Sequence, residues 1–520
     1  MISARRLRVP RERRIRFPVA SPVGGLRHDL GATFIPPGSS PTCSGVIFRD
    51  GVLKKMKGVS PFADPFTEEY GAPSPIVAIN YINNSLIVHT LSNVFVLVNN
   101  VLVDITSRHA HSTTLNDFIS AAYFGGLYIW SNGVDQMRKW DYASSEMQLL
   151  ANTEYYRAKW ILPFGGRLVL YGMIEGGNEY PRRIRYSAVE KPEDYVEVGS
   201  GAHDITMLTP DDEIQRAEPL AGVVAVYGKK AIGLQEYVGE YLVPFTYHGR
   251  VDGVGLAAPR ALVNIEGNKH IFLGWDDIYM FRGGMEVERL GAAVKDELFR
   301  RISTEYVHRS FAYYLPEEEV VRFHVPVDGS ALPNACYEYH LLDKNWTSLP
   351  FPFYCQGRHV VREALTWDTI VGAWEECALT WDSRTLLSLQ PITLLGDTEG
   401  VVHVSDESAY SLSGEPISAY WDSKDFSIDK YLGHTVNWME LGYEARGTSM
   451  DVYYSVDSGE SYHLLKSVEL ESSWTKGRID FDVTSPKIRF RFAHNALQGT
   501  FEVRWFEVGY VSASDRRVEE

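Results

Sequence analysis

The sequence has no apolar run near the roughly 18 residues that a helical membrane span requires, so no membrane span is expected. Its arginine-rich start is not followed by an apolar segment, so it does not read as a secretory signal. Cysteine is scarce. Cys43, Cys336, Cys355 and Cys377 fall in no CxxC spacing, which argues against both a zinc site and a disulfide framework and fits folding in a cytoplasm. Helical periodicity is almost missing, the best stretch being Gly291 to Ile302, with Val294, Leu298, Phe299 and Ile302 on one face. There is no HExxH, no Gly-x-Ser-x-Gly and no phosphate loop. No catalytic residue, metal ligand or cofactor is therefore expected, and the chain does not read as an enzyme.

What is present is aromatic, glycine-rich and turn-rich. The 520 residues include 30 Tyr, 12 Trp, 43 Gly and 25 Pro, a mixture that favours many short strands joined by turns. The stretch Gly267 to Gly284 shows the pattern best. One apolar run, His270 to Leu273, and a second, Ile278 to Phe281, flank the turn residues Asp276 and Asp277. Similar glycine-bounded strands occur at Gly125-Gly126-Leu127, Gly165-Gly166-Arg167 and Gly222-Val223. From Ile76 onward four-strand sets recur, their glycine pairs about 40, 57 and 45–50 residues apart, and four-strand units at a spacing of about 40–50 residues mark a β-propeller. The third set is expected to end with Tyr195–Val198 and the fourth with Tyr241–Tyr247. The seventh is expected to use Val360–Trp367, Ile370–Trp374, Leu379–Trp381 and Val401–Val404, or to share strands with the N-terminus.

After Gly414-Glu415-Pro416 the strands become longer and alternate more regularly, as in Arg489-Phe490-Arg491-Phe492. Seven of them in about 95 residues fit a β-sandwich. The expected fold is all-β: a six- or seven-bladed β-propeller, a C-terminal β-sandwich and an extended basic N-terminal arm. The boundaries read as arm 1–22, extended segment with a hairpin 23–75, propeller 76–413, sandwich 414–512 and loose tail 513–520. Within the extended segment, Val46–Arg49 and Val52–Leu53 read as a hairpin around Asp50-Gly51.

Charge is unevenly spread. The first 16 residues hold seven Arg (Arg5, Arg6, Arg8, Arg11, Arg13, Arg14 and Arg16) and one Glu, leaving −22 on the rest of a chain whose total is −16. An acidic body repels nucleic acid, whereas the arm is suited to bind an acidic partner. These seven arginines are the candidate partner-binding residues.

Other motifs carry weaker signals. Trp-Asp pairs start at Trp140, Trp275, Trp367, Trp381 and Trp421, too irregularly for a WD repeat, and read as core Trp beside turn Asp. Ser455-Val456-Asp457-Ser458-Gly459 resembles an Asp-box turn. Asp211-Asp212-Glu213 and Glu317-Glu318-Glu319 each follow a proline and read as solvated turns rather than as facing carboxylates of a glycosidase. His109 and His111 lack a third metal ligand and read as surface residues.

Three segments together resemble β-propeller proteins of tailed-bacteriophage virions. They are Gly24-Gly25-Leu26 through Pro36-Pro37-Gly38-Ser39 to Cys43–Gly51; Arg183-Ile184-Arg185-Tyr186-Ser187 with Glu193-Asp194-Tyr195; and Ile278–Gly284 followed by Asp296 to Phe299. The best-known members of this group are the tail nozzle, or packaged-DNA-stabilisation, proteins of short-tailed phages, and the resemblance covers about residues 20–350. Ser44-Gly45 stands where that family often has Asn. The resemblance implies a structural virion protein in the tail, assembled in the host cytoplasm. It would form a sixfold ring of itself below the portal and adaptor proteins, contact tail fibre or spike proteins, and line and help close the DNA exit channel without gripping DNA. Two alternatives stand beside it: a carbohydrate-binding or glycan-cleaving propeller, and a tail-tip or decorating component of a long-tailed phage.

Overall fold

In a computed structural model of the chain, the described residues are 15–63, 74–98, 101–108, 111–207, 209, 211–240, 243–360, 391–406, 408–428 and 435–512. Six four-stranded antiparallel sheets follow one another along the chain, spanning residues 76–104, 120–149, 156–204, 214–252, 262–289 and 311–349. In each sheet the strands pair in chain order, first to second to third to fourth. This succession of independent meanders is the topology of a β-propeller.

The first hairpin of five consecutive sheets turns on two residues that both have positive φ. They are Asn83-Asn84, Gly125-Gly126, Gly165-Gly166, Ala221-Gly222 and Glu266-Gly267. Two-residue turns of this kind match the right-handed twist of the strands they join, which explains why glycine marks the repeat in the sequence. The stretch Gly267–Gly284 supplies the two middle strands of the fifth sheet, Lys269–Leu273 and Ile278–Phe281, paired Leu273 to Ile278 through His270 to Phe281.

The seventh sheet is assembled from both ends of the chain. Strands Cys355–Val360, Pro391–Gly396 and Val402–Asp406 are joined on the outer side by Gly58–Ala63, which comes from before the first sheet. The short strands Ser411–Leu412 and Glu415–Pro416 extend the same sheet. Closing a ring with a strand from the opposite terminus lets the first and last sheets separate only if that strand is stripped away.

Two further sheets contain the C-terminal strands. One joins Val436–Gly447, Thr475–Ser485 and Phe501–Ser512 to the N-terminal hairpin Val46–Arg49/Val52–Lys55 and to Ile15–Arg16. The other joins Ala419–Asp422, Ser449–Ser455, His463–Glu469 and Arg489–His494 to Cys43–Ser44. Their facing sides meet through Phe506, whose ring lies 5.4 Å from that of Trp421 and 5.7 Å from that of Phe492. The hairpin turn has φ +54° at Asp50 and +73° at Gly51, as expected of Asp-Gly.

Several elements differ from the sequence expectation. The fourth strand of the third sheet is Gly201–Asp204, not Tyr195–Val198, because Asp194 bends the chain by accepting the amides of Val196 and Glu197. Tyr195 is instead a buried side chain in the core between the second and third sheets. The fourth strand of the fourth sheet is Phe245–Asp252, shifted along from Tyr241–Tyr247. Of the strands expected for the seventh sheet, those across 361–390 lie outside the described residues. The helix expected at 291–302 is a 3-10 turn, Gly291–Ala293, followed by Lys295–Arg301, the one α-helix among the described residues. No helix among the described residues is long and apolar enough to cross a membrane.

Candidate functional site: the axial cavity and its arginines

The first strands of all seven sheets, or the residues just before them, line one cavity of about 230 Å³. They contribute Asn80, Ile119, Trp160, Arg216, Arg260, Phe311 and Gln356, among others. The two arginines hold this ring together. Arg260, just before the fifth sheet, donates to the carbonyls of Val77 (3.4 Å), Tyr354 (3.2 Å) and Arg309 (3.1 Å), and so reaches the first sheet and the approaches to the seventh and sixth. Its guanidinium carbon also lies 4.5 Å from the centre of the Tyr354 ring. Arg216, in the fourth sheet, donates to Pro259 and Leu262 carbonyls at 3.1 and 2.9 Å and stacks 4.6 Å from the centre of Trp160 in the third. A planar fork with five donors suits this work, and a lysine could not reproduce it.

Arg216 is neutralised by Glu218 at 2.7 Å. Arg260 is not: its described partners are backbone carbonyls, and its buried Nε has none. Among the described residues no carboxylate pairs with Arg260. Cys355 also lines the cavity, but burial pushes its thiol up to about 12, so it is not a nucleophile. The cavity can hold water or a small polar group; its described lining residues include no carboxylate or histidine.

One mouth of the cavity is crossed by the segment between the first and second sheets. The Leu115 carbonyl accepts the Tyr354 hydroxyl at 2.5 Å, and Asn116 Oδ1 accepts Arg309 Nη2 at 2.7 Å and Nε at 2.9 Å, with His308 Nε2 at 2.9 Å. Arg309 and His308 lie just before the sixth sheet and Tyr354 just before the seventh, so this segment is tied across the mouth to the sixth sheet as well as to the neighbouring seventh.

Buried side chains also couple neighbouring sheets. Tyr128 Oη meets His89 Nε2 at 2.7 Å, Tyr171 Oη donates to Gln235 at 2.7 Å, and Tyr227 Oη meets His270 Nδ1 at 2.8 Å. Burial pushes His89 down to about 3 and His270 to about 4, so both are neutral.

The residues singled out in the sequence are mostly dispersed. Arg5, Arg6, Arg8, Arg11, Arg13 and Arg14 lie outside the described residues. Arg16 pairs within the chain, with Glu440 at 2.6 Å and Glu507 at 3.1 Å. Asp212 is not a solvated turn residue. It is buried and accepts the amides of Glu213, Lys229 and Lys230 at 2.8, 2.8 and 3.1 Å. Asp277 is likewise buried, accepting the amides of Ile278 and Gly291 at 2.8 and 2.9 Å, and so ties its hairpin to the helix that follows. Glu317 pairs with Arg358 at 2.5 Å, and Glu318 with Arg49 at 3.4 Å.

Of the described Trp-Asp pairs, Trp140-Asp141 follows the expected pattern, whereas Trp275 is half exposed and Trp421-Asp422 is wholly buried. His109 lies outside the described residues. His111 is half-buried beside Trp130, and burial together with Arg138 lowers it to about 4. In the Asp-box-like turn, Ser455 Oγ accepts the Gly459 amide at 2.8 Å and Asp457 Oδ1 accepts the Ser461 amide at 3.0 Å. The arginines of Arg489-Phe490-Arg491-Phe492 pair within the chain: buried Arg489 reaches Asp425 at 2.7 Å and half-buried Arg491 reaches Asp422 at 2.6 Å. Among the described residues no group of three or more His, Cys, Asp or Glu is placed to hold a metal.

The axial arginines themselves were not picked out in the sequence. Each stands near the start of the first strand of its set, and that shared position was the available signal.

No protein-family model and no curated protein matches the sequence. Solved structures with similar architecture include the designed protein Ika8, with 11% identity over 74% of this chain and 98% of that chain at a TM-score of 0.36. Others are the Pan2 WD40 domain of Neurospora crassa (8%, 69% and 96%, TM-score 0.36) and BamB from Moraxella catarrhalis (8%, 69% and 93%, TM-score 0.36). Likeness at this level carries no argument about function, and the β-propeller assignment rests on the sheet order described above.

Proposed function

We propose that this chain is a structural subunit of a tailed-bacteriophage virion. It forms a ring below the portal and adaptor that lines and helps close the DNA exit channel, and each subunit is a seven-bladed propeller joined to a β-sandwich. The observation that carries this reading is the meeting of two motif segments that are far apart in the sequence. His28, just after Gly24-Gly25-Leu26, contacts Glu297 at 2.8 Å and donates its amide to the Ala293 carbonyl at 2.7 Å, beside the helix that follows Ile278–Gly284. Gly25 (φ +74°) lies so close to the sixth sheet that a Cβ would stand 2.8 Å from Asn345 Cβ, and the Leu26 amide reaches the Trp346 carbonyl at 2.8 Å. Gly45 (φ +64°) seats the next part of the motif at the junction with the C-terminal sheets, its amide 3.1 Å from the Ser348 carbonyl.

The motifs that resemble the nozzle family are therefore joints of the architecture, consistent with a rigid mechanical part. The segment tied across the cavity mouth fits a channel formed between subunits rather than through one. The acidic body fits a surface over which DNA slides without being held. Arg5 to Arg14 are the residues proposed to contact an adaptor or a neighbouring subunit. Mass spectrometry of any virus particles produced from the genome that carries the chain tests the assignment. Presence at a few copies per particle is expected, and absence contradicts it. A glycan array separates it from a carbohydrate-binding propeller, which would bind where this reading predicts no signal.

A further inference from the structure

The closing sheet brings together a serine, a histidine and an aspartate that play no part in the axial site. His403, in the strand Val402–Asp406, is 7% exposed. Its Nε2 lies 2.7 Å from Asp397 Oδ2 and its Nδ1 lies 2.7 Å from Ser413 Oγ. The other oxygen of Asp397 accepts the amides of Glu399 and Val401, each at 2.9 Å, so the carboxylate is held from two sides. Burial alone would raise Asp397, but His403 and these amides outweigh it and keep its carboxyl below the usual range.

A carboxylate at Nε2 fixes the imidazole proton there and leaves the Nδ1 lone pair to accept the Ser413 hydroxyl. The strand Gly58–Ala63 lies between His403 and Ser413 in the sheet, and the pairing register shifts between Val402 and His403, a bulge of the kind that re-aims a side chain. Ser413 is exposed at the tip of a two-residue turn with φ +50°, a conformation that few non-glycine residues adopt. Its amide is pinned to the Val59 carbonyl at 3.0 Å. Beyond it, Gly414 (φ +98°) stands in open space, with no atom within 4 Å of where a Cβ would be.

We propose that Ser413 is an activated nucleophile, with His403 as its general base and Asp397 as the residue that orients the base, and that it cleaves small carboxylic esters such as acetyl esters. Ser413 Oγ attacks the ester carbonyl as its proton passes to His403 Nδ1. The tetrahedral adduct expels the alcohol, which takes that proton, and leaves an acyl-serine. Water then attacks the acyl carbon, again through His403, releasing the acid and restoring the serine. Among the described residues the turn has no walls to grip a long acyl chain or a peptide, which favours a small acyl group. The ordered Ser–His–Asp line goes beyond the virion role and does not depend on it.

The test treats the purified full-length chain with a fluorophosphonate probe, maps the adduct by peptide mass spectrometry, and follows hydrolysis of p-nitrophenyl acetate in parallel. The expected result is an adduct on Ser413, none in Ser413→Gly, and labelling about 100-fold slower in Asp397→Asn and His403→Gln. Ser413→Gly suits the positive φ and keeps the fold, so its result stands even if a His403 variant fails to fold. An unmodified Ser413 in the folded protein overturns the proposal. So does labelling at an unchanged rate in Asp397→Asn.

Discussion

Arg49 Nη2 lies 2.6 Å from Glu338 Oε1, and this contact joins the N-terminal hairpin of the C-terminal sheets to the sixth sheet of the propeller. Glu338 is 1% exposed and also receives Arg322 Nε at 2.8 Å, so one carboxylate holds two guanidinium groups. Burial works against its charge, but Arg322 and Arg49 outweigh that and keep Glu338 ionised. Removing the Glu338 charge leaves both guanidinium groups with the more exposed Glu318 alone, at 3.4 and 3.5 Å. Glu338→Gln is expected to lower stability by about 3–5 kcal/mol in urea unfolding. A loss below about 1 kcal/mol would show that the junction does not depend on this contact.

Arg260 makes the second prediction. Its guanidinium reaches carbonyls in or beside three other sheets, and a lysine can make only part of that set. Arg260→Lys is expected to cost about 2–4 kcal/mol although it keeps the charge. A conserved thermal midpoint would remove Arg260 from the account of ring closure.

Closure by the strand Gly58–Ala63 gives a third. Val59 is 1% exposed, and Val59→Asp would bury an unpaired carboxylate at the seam. The variant is expected to lose at least about 3 kcal/mol. Limited proteolysis should then cut within the seventh sheet before the second or third. Uniform cleavage would contradict a seam at this position.

Acid sensitivity follows from three buried histidines. Burial holds His89 and His324 near 3 and His270 near 4, below the unfolded value of about 6.5. Above that value neither state carries these protons, and their contribution to stability is complete. As pH falls towards 4, the unfolded chain takes up protons that the native chain refuses. Stability drops by up to about 1.4 kcal/mol per pH unit for each histidine. Urea midpoints measured from pH 7 to pH 4 should fall, and His89→Gln should reduce the slope by one proton. A flat profile would mean that these rings are protonated in the native state.

Local chemistry was readable in the sequence and long-range chemistry was not. Asp50-Gly51 and the glycine pairs announced their turns because positive φ restricts which residues can stand there. The seven strands from Ala419–Asp422 to Phe501–Ser512 are legible from alternation. Tyr195–Val198 was misread as a strand because apolar residues at a turn capped by Asp194 look like a short strand when their burial is unknown. Asp212 and Asp277 resembled solvated turn acids, since nothing local shows that later amides, at Lys229 and Gly291, come back to meet them. Arg489 and Arg491 alternate with Phe as on an exposed face, but the neighbouring strand of the same sheet and the segment after it bring buried Asp422 and Asp425 against them. Ser413, His403 and Asp397 have no motif spacing, because one of the intervening strands comes from the other end of the chain.

Cryo-electron microscopy of any virus particles produced from the genome that carries this chain is the most direct measurement of the proposed virion role. The account predicts a ring of propellers below the portal and adaptor, with DNA on the ring axis and residues 111–119 tied across the mouth of each propeller's cavity. Particles without the chain, or with it outside the portal-proximal tail, would contradict it.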